Sequence, residues 1–158
     1  MSQRQEEFER TALPHLRSLL RFAQRLSRNL PEAEDLVQET YLQAWRNFDR
    51  FETGTNVRAW LFRILLNAQL QRARKVKPEP IAVRTDDSLV QRLELLQALD
   101  RLQEDQRTVL LLAVVEGFTS REIANILSIP AGTVMSRLSR ARQAMREILS
   151  PKCEKVSQ

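Results

Sequence analysis

Helical periodicity dominates this sequence and leaves little room for any other fold. Apolar residues recur at spacings of three and four, and prolines and glycines lie between these stretches. Only three glycines and six prolines occur, too few for an all-β chain, which needs a turn about every 8 to 12 residues. The sequence therefore predicts an all-α fold. The predicted helices cover residues 14–27, 31–48, 57–75, 90–102, 104–116, 120–127 and 130–149.

One of these helices and the residues before the first of them carry a further expectation. The helix predicted at 104–116 is apolar almost all round, a pattern typical of a helix enclosed by others, so we expect it at the buried centre of its domain. A helical arm is also expected before residue 14.

Periodicity stops in the middle of the chain. Lys77-Pro78-Glu79-Pro80 cannot be helical, because each proline pushes the residue before it into extended geometry. We interpret residues 77–89 as a flexible linker between two small helical domains, 1–76 and 90–158.

The composition excludes several classes of protein. A single cysteine, Cys153, rules out an internal disulfide, and a single histidine, His15, leaves no cluster of metal ligands. The longest apolar run, residues 109–115, is far shorter than the roughly 20 residues of a membrane span. The polar N-terminus has no signal-peptide core. We expect a soluble cytoplasmic protein without a metal or cofactor.

Charge is distributed unevenly along the chain. The net charge of +5 is weak evidence by itself, but residues 56–77 carry six positive and no negative side chains. Residues 131–146 carry four positive and no negative, and residues 29–45 carry four negative and no positive. One such run could be a solvated helix face. Two basic runs, each ending the helical set of one domain, favour phosphate binding.

The second domain contains the pattern of a helix-turn-helix. Thr119 and Glu122 have capping-box spacing at the start of one helix, and Ser128-Ile129-Pro130 forms the turn to the next. An ordinary helical hairpin is the alternative, because Ser128 stands where this motif usually has glycine. The apolar residues that would lock the pair are Ile123, Ile126, Leu127, Ile129, Val134 and Leu138. Outward positions with donors for base edges and phosphates are Thr133, Ser136, Arg137 and Arg140.

Three segments that occur together resemble the extracytoplasmic-function (ECF) sigma factors. Residues 34–40, followed by 59–67, resemble their first conserved domain, and residues 117–142 resemble the second. The order, the spacing and the proline-containing linker also match, so the resemblance covers nearly the whole chain. Residues 51–60 look closest to the general-stress group of these factors.

The resemblance implies a dissociable subunit of bacterial RNA polymerase. Its first domain, sigma region 2, would bind the core polymerase and recognise and open the −10 promoter element. Its second domain, sigma region 4, would read the −35 element. The chain shows no sensory extension, so we expect an anti-sigma protein to regulate it.

The resemblance also assigns candidate residues to three surfaces. Those for core polymerase are Glu34, Asp35, Gln38 and Glu39. Those for the −10 element and its opening are Phe51, Thr55, Asn56, Arg58, Trp60, Arg63, Asn67, Arg72 and Arg74. Those for the −35 element are Arg121, Thr133, Met135, Ser136, Arg137, Arg140 and Arg142.

Two of these assignments need comment. In the family an unstacked base is held by the loop before the third helix, here residues 51–56. Stacking of this base on an aromatic ring recovers about 1–3 kcal/mol of the free energy that its unstacking costs. Phe51 and Trp60 are the candidates, although Trp60 also fits the apolar stripe of its helix and could pack in the core. Met135 stands where the family is often basic, so base contacts cannot be copied across.

Three other functions agree less well with the sequence. An enzyme would need a phosphate-binding glycine loop, a metal site or an activated nucleophile, and the sequence has none of these patterns. An autonomous helix-turn-helix repressor would have no use for the acidic helix. A sigma-like decoy that only sequesters an anti-sigma factor need not keep its DNA-facing arginines, and this chain has both sets.

Overall fold

The computed structural model describes residues 1–27, 29–73 and 87–150, except for the side chains of residues 73 and 87–93. The chain divides into a first unit, residues 1–82, and a second unit, residues 83–158. Helices joined by turns and short loops make up the described residues, which contain no strand, so the predicted all-α fold is confirmed. Residues 77–86 of the predicted linker and the candidate Arg74 lie outside the described residues.

The described residues of the first unit form four α-helices. Helix α3 begins where the Asn29 side chain accepts a hydrogen bond from the Glu32 N–H at 2.9 Å and Pro31 occupies the first turn. It packs against both α2 and α4. The helices are α1 (Gln3–Ala12), α2 (Leu16–Leu26), α3 (Leu30–Asn47) and α4 (Val57–Ala73), with 3-10 turns at Leu13–His15 and Phe48–Arg50.

The core of this unit is built from large apolar side chains of three helices. Phe22 of α2 meets Phe62 of α4 edge to face, with ring centroids 5.1 Å apart. Other fully buried side chains around this pair are Leu19, Leu36, Leu61 and Leu65.

Helix α1 is the arm expected before residue 14, and it is docked on α3. Its Phe8 and Ala12 are buried. The Tyr41 hydroxyl of α3 donates a hydrogen bond to the Ala12 carbonyl at 2.8 Å, and burial raises the pKa of Tyr41 to about 12.

In the second unit, the part that the structure describes, residues 87–150, also forms four α-helices. The capping box expected at Thr119 is present: its hydroxyl accepts from the Glu122 N–H at 3.2 Å, and the Glu122 carboxylate accepts from the Thr119 N–H at 2.8 Å. The helices are α5 (Asp87–Asp100), α6 (Glu104–Leu110, continuing as a π-helical turn over Leu111–Val115), α7 (Ser120–Leu127) and α8 (Ala131–Leu149).

The π-helical turn corrects one expectation. Residues 109–112 are buried as expected, but Val114 and Val115 are 64% and 45% exposed, so the prediction of all-round burial is wrong there. The Glu116 N–H bonds to the Leu111 carbonyl at 3.2 Å across a turn one residue wider than an α-helical turn. This wider turn changes the direction of the side chains at its end. Among the described residues, no helix is both long and apolar enough to cross a membrane.

Candidate nucleic-acid interface

The loop between the Phe48–Arg50 turn and α4 is held by its own hydrogen bonds. The Thr55 N–H and hydroxyl both donate to the Glu52 carbonyl, at 3.1 and 2.8 Å, and Gly54 takes the positive φ of +97° that the turn requires. The Asn56 side chain then caps α4 by accepting from the Ala59 N–H at 3.1 Å. The loop therefore has a defined backbone, while residues 52–56 are exposed.

Two aromatic rings lie at the base of this loop. The Phe51 and Trp60 centroids are 4.8 Å apart, and Phe51 also stacks on Phe48 at 6.1 Å with an interplanar angle of 9°. Phe51 and Trp60 are both half-buried. Trp60 thus combines the two alternatives left open by the sequence, since part of it is packed and part of it is accessible.

The polar candidates along α4 differ in their surroundings. The Arg58 guanidinium lies 5.3 Å from the Phe62 ring centroid. Burial, and secondarily the charge of Arg58, lowers the pKa of His15. Arg63 and Asn67 are exposed.

Arg72 and Glu39, assigned by the sequence to two different surfaces, meet in the structure. The Arg72 Nε and Nη2 atoms lie 3.1 and 2.9 Å from Glu39 Oε2, and Gln43 Nε2 donates to Glu39 Oε1 at 3.2 Å. This pair joins α3 to α4 and neutralises both charges. The two partners are 33 residues apart, so sequence periodicity could not reveal the contact.

The remaining acidic candidates on α3 face solvent. Glu34, Asp35 and Gln38 are exposed, and neither carboxylate forms an ion pair with a described residue. Within the described part of the first unit, these side chains therefore form a free acidic surface.

In the second unit, a serine makes the turn of the helix-turn-helix. Ser128 has φ 55° and ψ 45°, and the Ile129 N–H bonds back to the Ala124 carbonyl at 3.1 Å. A left-handed conformation costs a residue other than glycine about 1–2 kcal/mol. Burial of the α7–α8 contact opposes that cost. The buried residues of the predicted lock are Ile123, Ile126, Val134 and Leu138, with Leu127 and Ile129 half-buried.

Helix α8 presents a polar and basic surface. Thr133 and Arg137 are half-buried, whereas Arg121 on α7 is exposed. Met135, where the sequence departs from the family, is 63% exposed. The other exposed candidates of α8 are Ser136, Arg140 and Arg142.

Four of the α8 candidates share one open cleft of about 440 Å³ with the start of α6. Asp105 enters this cleft, and its Oδ2 lies 3.7 Å from Arg137 Nη2. Sequence reasoning missed the α6 residues, because only the fold brings them to the recognition helix. The cleft is lined by Gln103, Asp105, Gln106, Gly132, Thr133, Ser136, Arg137 and Arg140.

Comparison with known proteins matches both units to one family. The family model "Sigma-70 region 2" matches residues 12–78, and "Sigma-70, region 4" matches residues 92–145. The two matched segments fall in the two units of the fold.

Relatives of similar length support the same assignment. The ECF RNA polymerase sigma factor EcfG of Rhodopseudomonas palustris (strain TIE-1) is 38% identical over 151 residues, covering 87% of this chain and 81% of that protein. The ECF RNA polymerase sigma factor SigW of Bacillus subtilis (strain 168) is 32% identical over 149 residues, covering 79% of each.

A solved structure agrees with the sequences. The sigma factor RpoE from Bartonella quintana, in complex with the anti-sigma factor NepR, superimposes with a TM-score of 0.80 at 36% identity, covering 91% of this chain and 97% of that one. The protein therefore belongs to the ECF RNA polymerase sigma factors, transcription regulators that direct core RNA polymerase to promoter DNA.

Proposed function

We propose a division of labour between the two units of this sigma factor. Residues 1–76 bind core polymerase through α3 and hold an unstacked base of the −10 element in the loop of residues 51–56. Residues 90–158 read the −35 element as a duplex through α8, and residues 77–86, which precede the start of α5 at Asp87, link the two. The chain acts in the cytoplasm without a catalytic site of its own.

The acidic surface of α3 supports the polymerase contact. Glu34, Asp35 and Gln38 are exposed, and the carboxylates of Glu34 and Asp35 are unpaired among the described residues, so these two charges are available to a basic partner. Glu39 differs, because it holds Arg72. We therefore assign Glu39 and Arg72 a role in joining α3 to α4 and place the polymerase contact on the other three.

The aromatic pair at the loop base is the single observation that carries the −10 assignment. Phe51 and Trp60 lie 4.8 Å apart and half-buried beneath exposed loop residues. An unstacked base placed on such a platform recovers about 1–3 kcal/mol of the cost of its extrusion. Arg63 and Asn67 of α4 are exposed and suited to contact the adjacent strand.

Regulation by an anti-sigma factor is proposed from a relative. The Bartonella quintana sigma factor that shares this fold at 36% identity was solved with the anti-sigma factor NepR. Together with the resemblance of residues 51–60 to the general-stress group, this supports an anti-sigma partner of the same kind. The exposed arginines of α8 favour an active sigma factor over a decoy.

The polymerase contact is tested by charge reversal. Glu34→Lys with Asp35→Lys should weaken association with core polymerase by more than about tenfold, because like charges facing across an interface cost several kcal/mol. The matched control reverses two other exposed acids, Glu6→Lys with Glu94→Lys. Normal core binding by the α3 variant would show that this surface is only solvated.

Dependence on polymerase is tested with the free protein. With only two short basic helices, one in each unit, the free protein should bind duplex DNA only non-specifically, with a dissociation constant of about 10⁻⁴–10⁻⁶ M. Promoter selectivity should appear only when core polymerase is added. Tight, selective promoter binding by the free protein would favour an autonomous repressor.

A further inference from the structure

Helix α1 contacts the rest of the first unit at the point where the chain leaves α3 for the loop of residues 51–56. Arg4 makes three contacts there. Its Nε lies 2.9 Å from Asp49 Oδ1, its Nη2 donates to the Trp45 carbonyl at 3.0 Å, and its guanidinium carbon lies 4.4 Å from the Trp45 ring centroid. Asp49 belongs to the Phe48–Arg50 turn, so Arg4 fixes both the end of α3 and the start of the loop.

A series of aromatic contacts runs from the same helix to the loop. The buried Phe8 ring meets Trp45 and Phe48 edge to face, at 5.3 and 5.1 Å. Phe48 stacks on Phe51, and Phe51 contacts Trp60. The Phe51–Trp60 pair that is proposed to hold the base is therefore connected through Phe48 to a side chain of α1.

We infer that Arg4 and Phe8 are positioning residues for promoter opening, acting through Phe48 and Asp49 on Phe51. The inference rests on the proposed role of the loop in holding an unstacked base. If the Phe51 and Trp60 rings are already held in the geometry that binds the base, they lose less conformational entropy when the base stacks on them. The base then binds more tightly without any new contact.

The position of Arg4 separates this role from stabilisation of the fold. The core of the unit is formed by α2, α3 and α4, and Arg4 lies outside it with 39% of its side chain exposed. An ion pair exposed to this extent contributes little to the free energy of unfolding. Its loss should therefore affect the loop more than the stability of the unit.

The test uses Arg4→Gln in the full chain, assembled with core polymerase on a duplex promoter. We expect the rate constant for converting the closed into the open complex to fall about fivefold to tenfold, with initial promoter binding and thermal unfolding unchanged. A template already unpaired across the −10 element should restore transcription. Phe8→Leu should act in the same direction. Arg10→Gln removes the same charge from an exposed position of α1 and should match the wild type.

Two further variants decide between explanations. Tyr41→Phe removes only the hydrogen bond to Ala12, so it loosens α1 without touching Phe48 or Asp49. A slow opening step in Tyr41→Phe equal to that of Arg4→Gln would overturn the inference in favour of general loosening.

Phe51→Ala separates failure of the inference from failure of the proposed function. Slow opening with Phe51→Ala but normal opening with Arg4→Gln would overturn the inference and leave the role of the loop intact. Normal opening with both variants would overturn the proposed role of the loop and the inference with it.

Discussion

The two units use different side chains for their candidate DNA surfaces. Every aromatic residue of the chain except Phe118 lies in the first unit, where Phe51 and Trp60 lie at the base of an exposed loop. The second unit instead exposes Arg140, Arg142 and Arg146 along one helix. Stacking on an aromatic ring is open to any base, because every base has a π-face, whereas phosphate contacts weaken steeply as salt rises. The same chain thus carries two recognition surfaces with different physical signatures.

Under the proposed division of labour neither unit is sufficient alone, because the first would bind a base that has already left the duplex and the second an intact duplex. We therefore expect polymerase to be required to bring both surfaces to one promoter, and we expect that each surface can be disabled without disabling the other.

The largest expected effect is on the aromatic surface. Phe51→Ala should reduce open-complex formation by about 5-fold to 100-fold, the loss of one stacked base, and leave binding of the −35 duplex unchanged. Open complexes can be counted by the reactivity of unpaired thymines. Leu70→Ala, which shortens an exposed apolar side chain of α4, is the control. Equal losses for both variants would remove the distinction between the two units.

Within α8, specificity and affinity should separate. Ser136 and Arg140 are four residues apart on one exposed face. Arg140→Ala should cost about 1–3 kcal/mol at one base pair and relax selectivity there. Arg146→Ala should lower affinity for all sequences and reduce the salt dependence by about one ion. Transcription from promoters randomised in the −35 element, at two salt concentrations, measures both. The reverse pattern would show that the orientation of α8 is wrong.

A smaller effect is expected at the cleft between α6 and α8. Asp105 lies 3.7 Å from Arg137 and competes with DNA phosphates for it. Asp105→Asn should therefore raise duplex affinity by up to about fivefold, the range for a partly exposed ion pair. The gain should disappear in high salt. Duplex binding by holoenzyme measures it, and Glu104→Gln, at the neighbouring exposed acid, is the control. An unchanged affinity would mean that Asp105 does not restrain Arg137.

The smallest effect concerns pH and only the first unit. Burial lowers the pKa of His15, so the unfolded chain binds its proton more readily than the folded unit does. The stabilisation is fully present above the ordinary value of 6.5 and is lost as pH falls below it. Both tryptophans lie in the first unit, so their fluorescence follows its thermal unfolding alone. His15→Gln should reduce the loss of stability on acidification, and an unaltered pH dependence would contradict this account.

Helix positions were predictable where local chemistry sets them. The Thr119–Glu122 capping box and Pro31 mark helix starts that the structure confirms. The π-helical turn at Leu111–Val115 was not predictable, since its apolar sequence fits an ordinary buried helix equally well. The local sequence pattern determines where a helix begins, but not whether its last turn is α-helical or π-helical.

Contacts between distant segments were beyond the sequence. The resemblance placed Glu39 and Arg72 on separate surfaces, whereas the packing of α3 on α4 pairs them. In the same way, the approach of Asp105 to Arg137 and of Arg4 to Asp49 depends on how the helices pack. Sequence periodicity gives the face of a helix and says nothing about which neighbour meets it.

The central claim is that the first unit holds one unstacked base on Phe51 and Trp60. It is tested most directly by binding holoenzyme to single-stranded −10 oligonucleotides in which one base at a time is removed. For the wild type, removal at one position should cost about 1–3 kcal/mol of binding free energy. For Phe51→Ala, removal at that position should cost clearly less than in the wild type, because one of the two rings that hold the base is already absent. Equal costs in both proteins at every position would contradict the account.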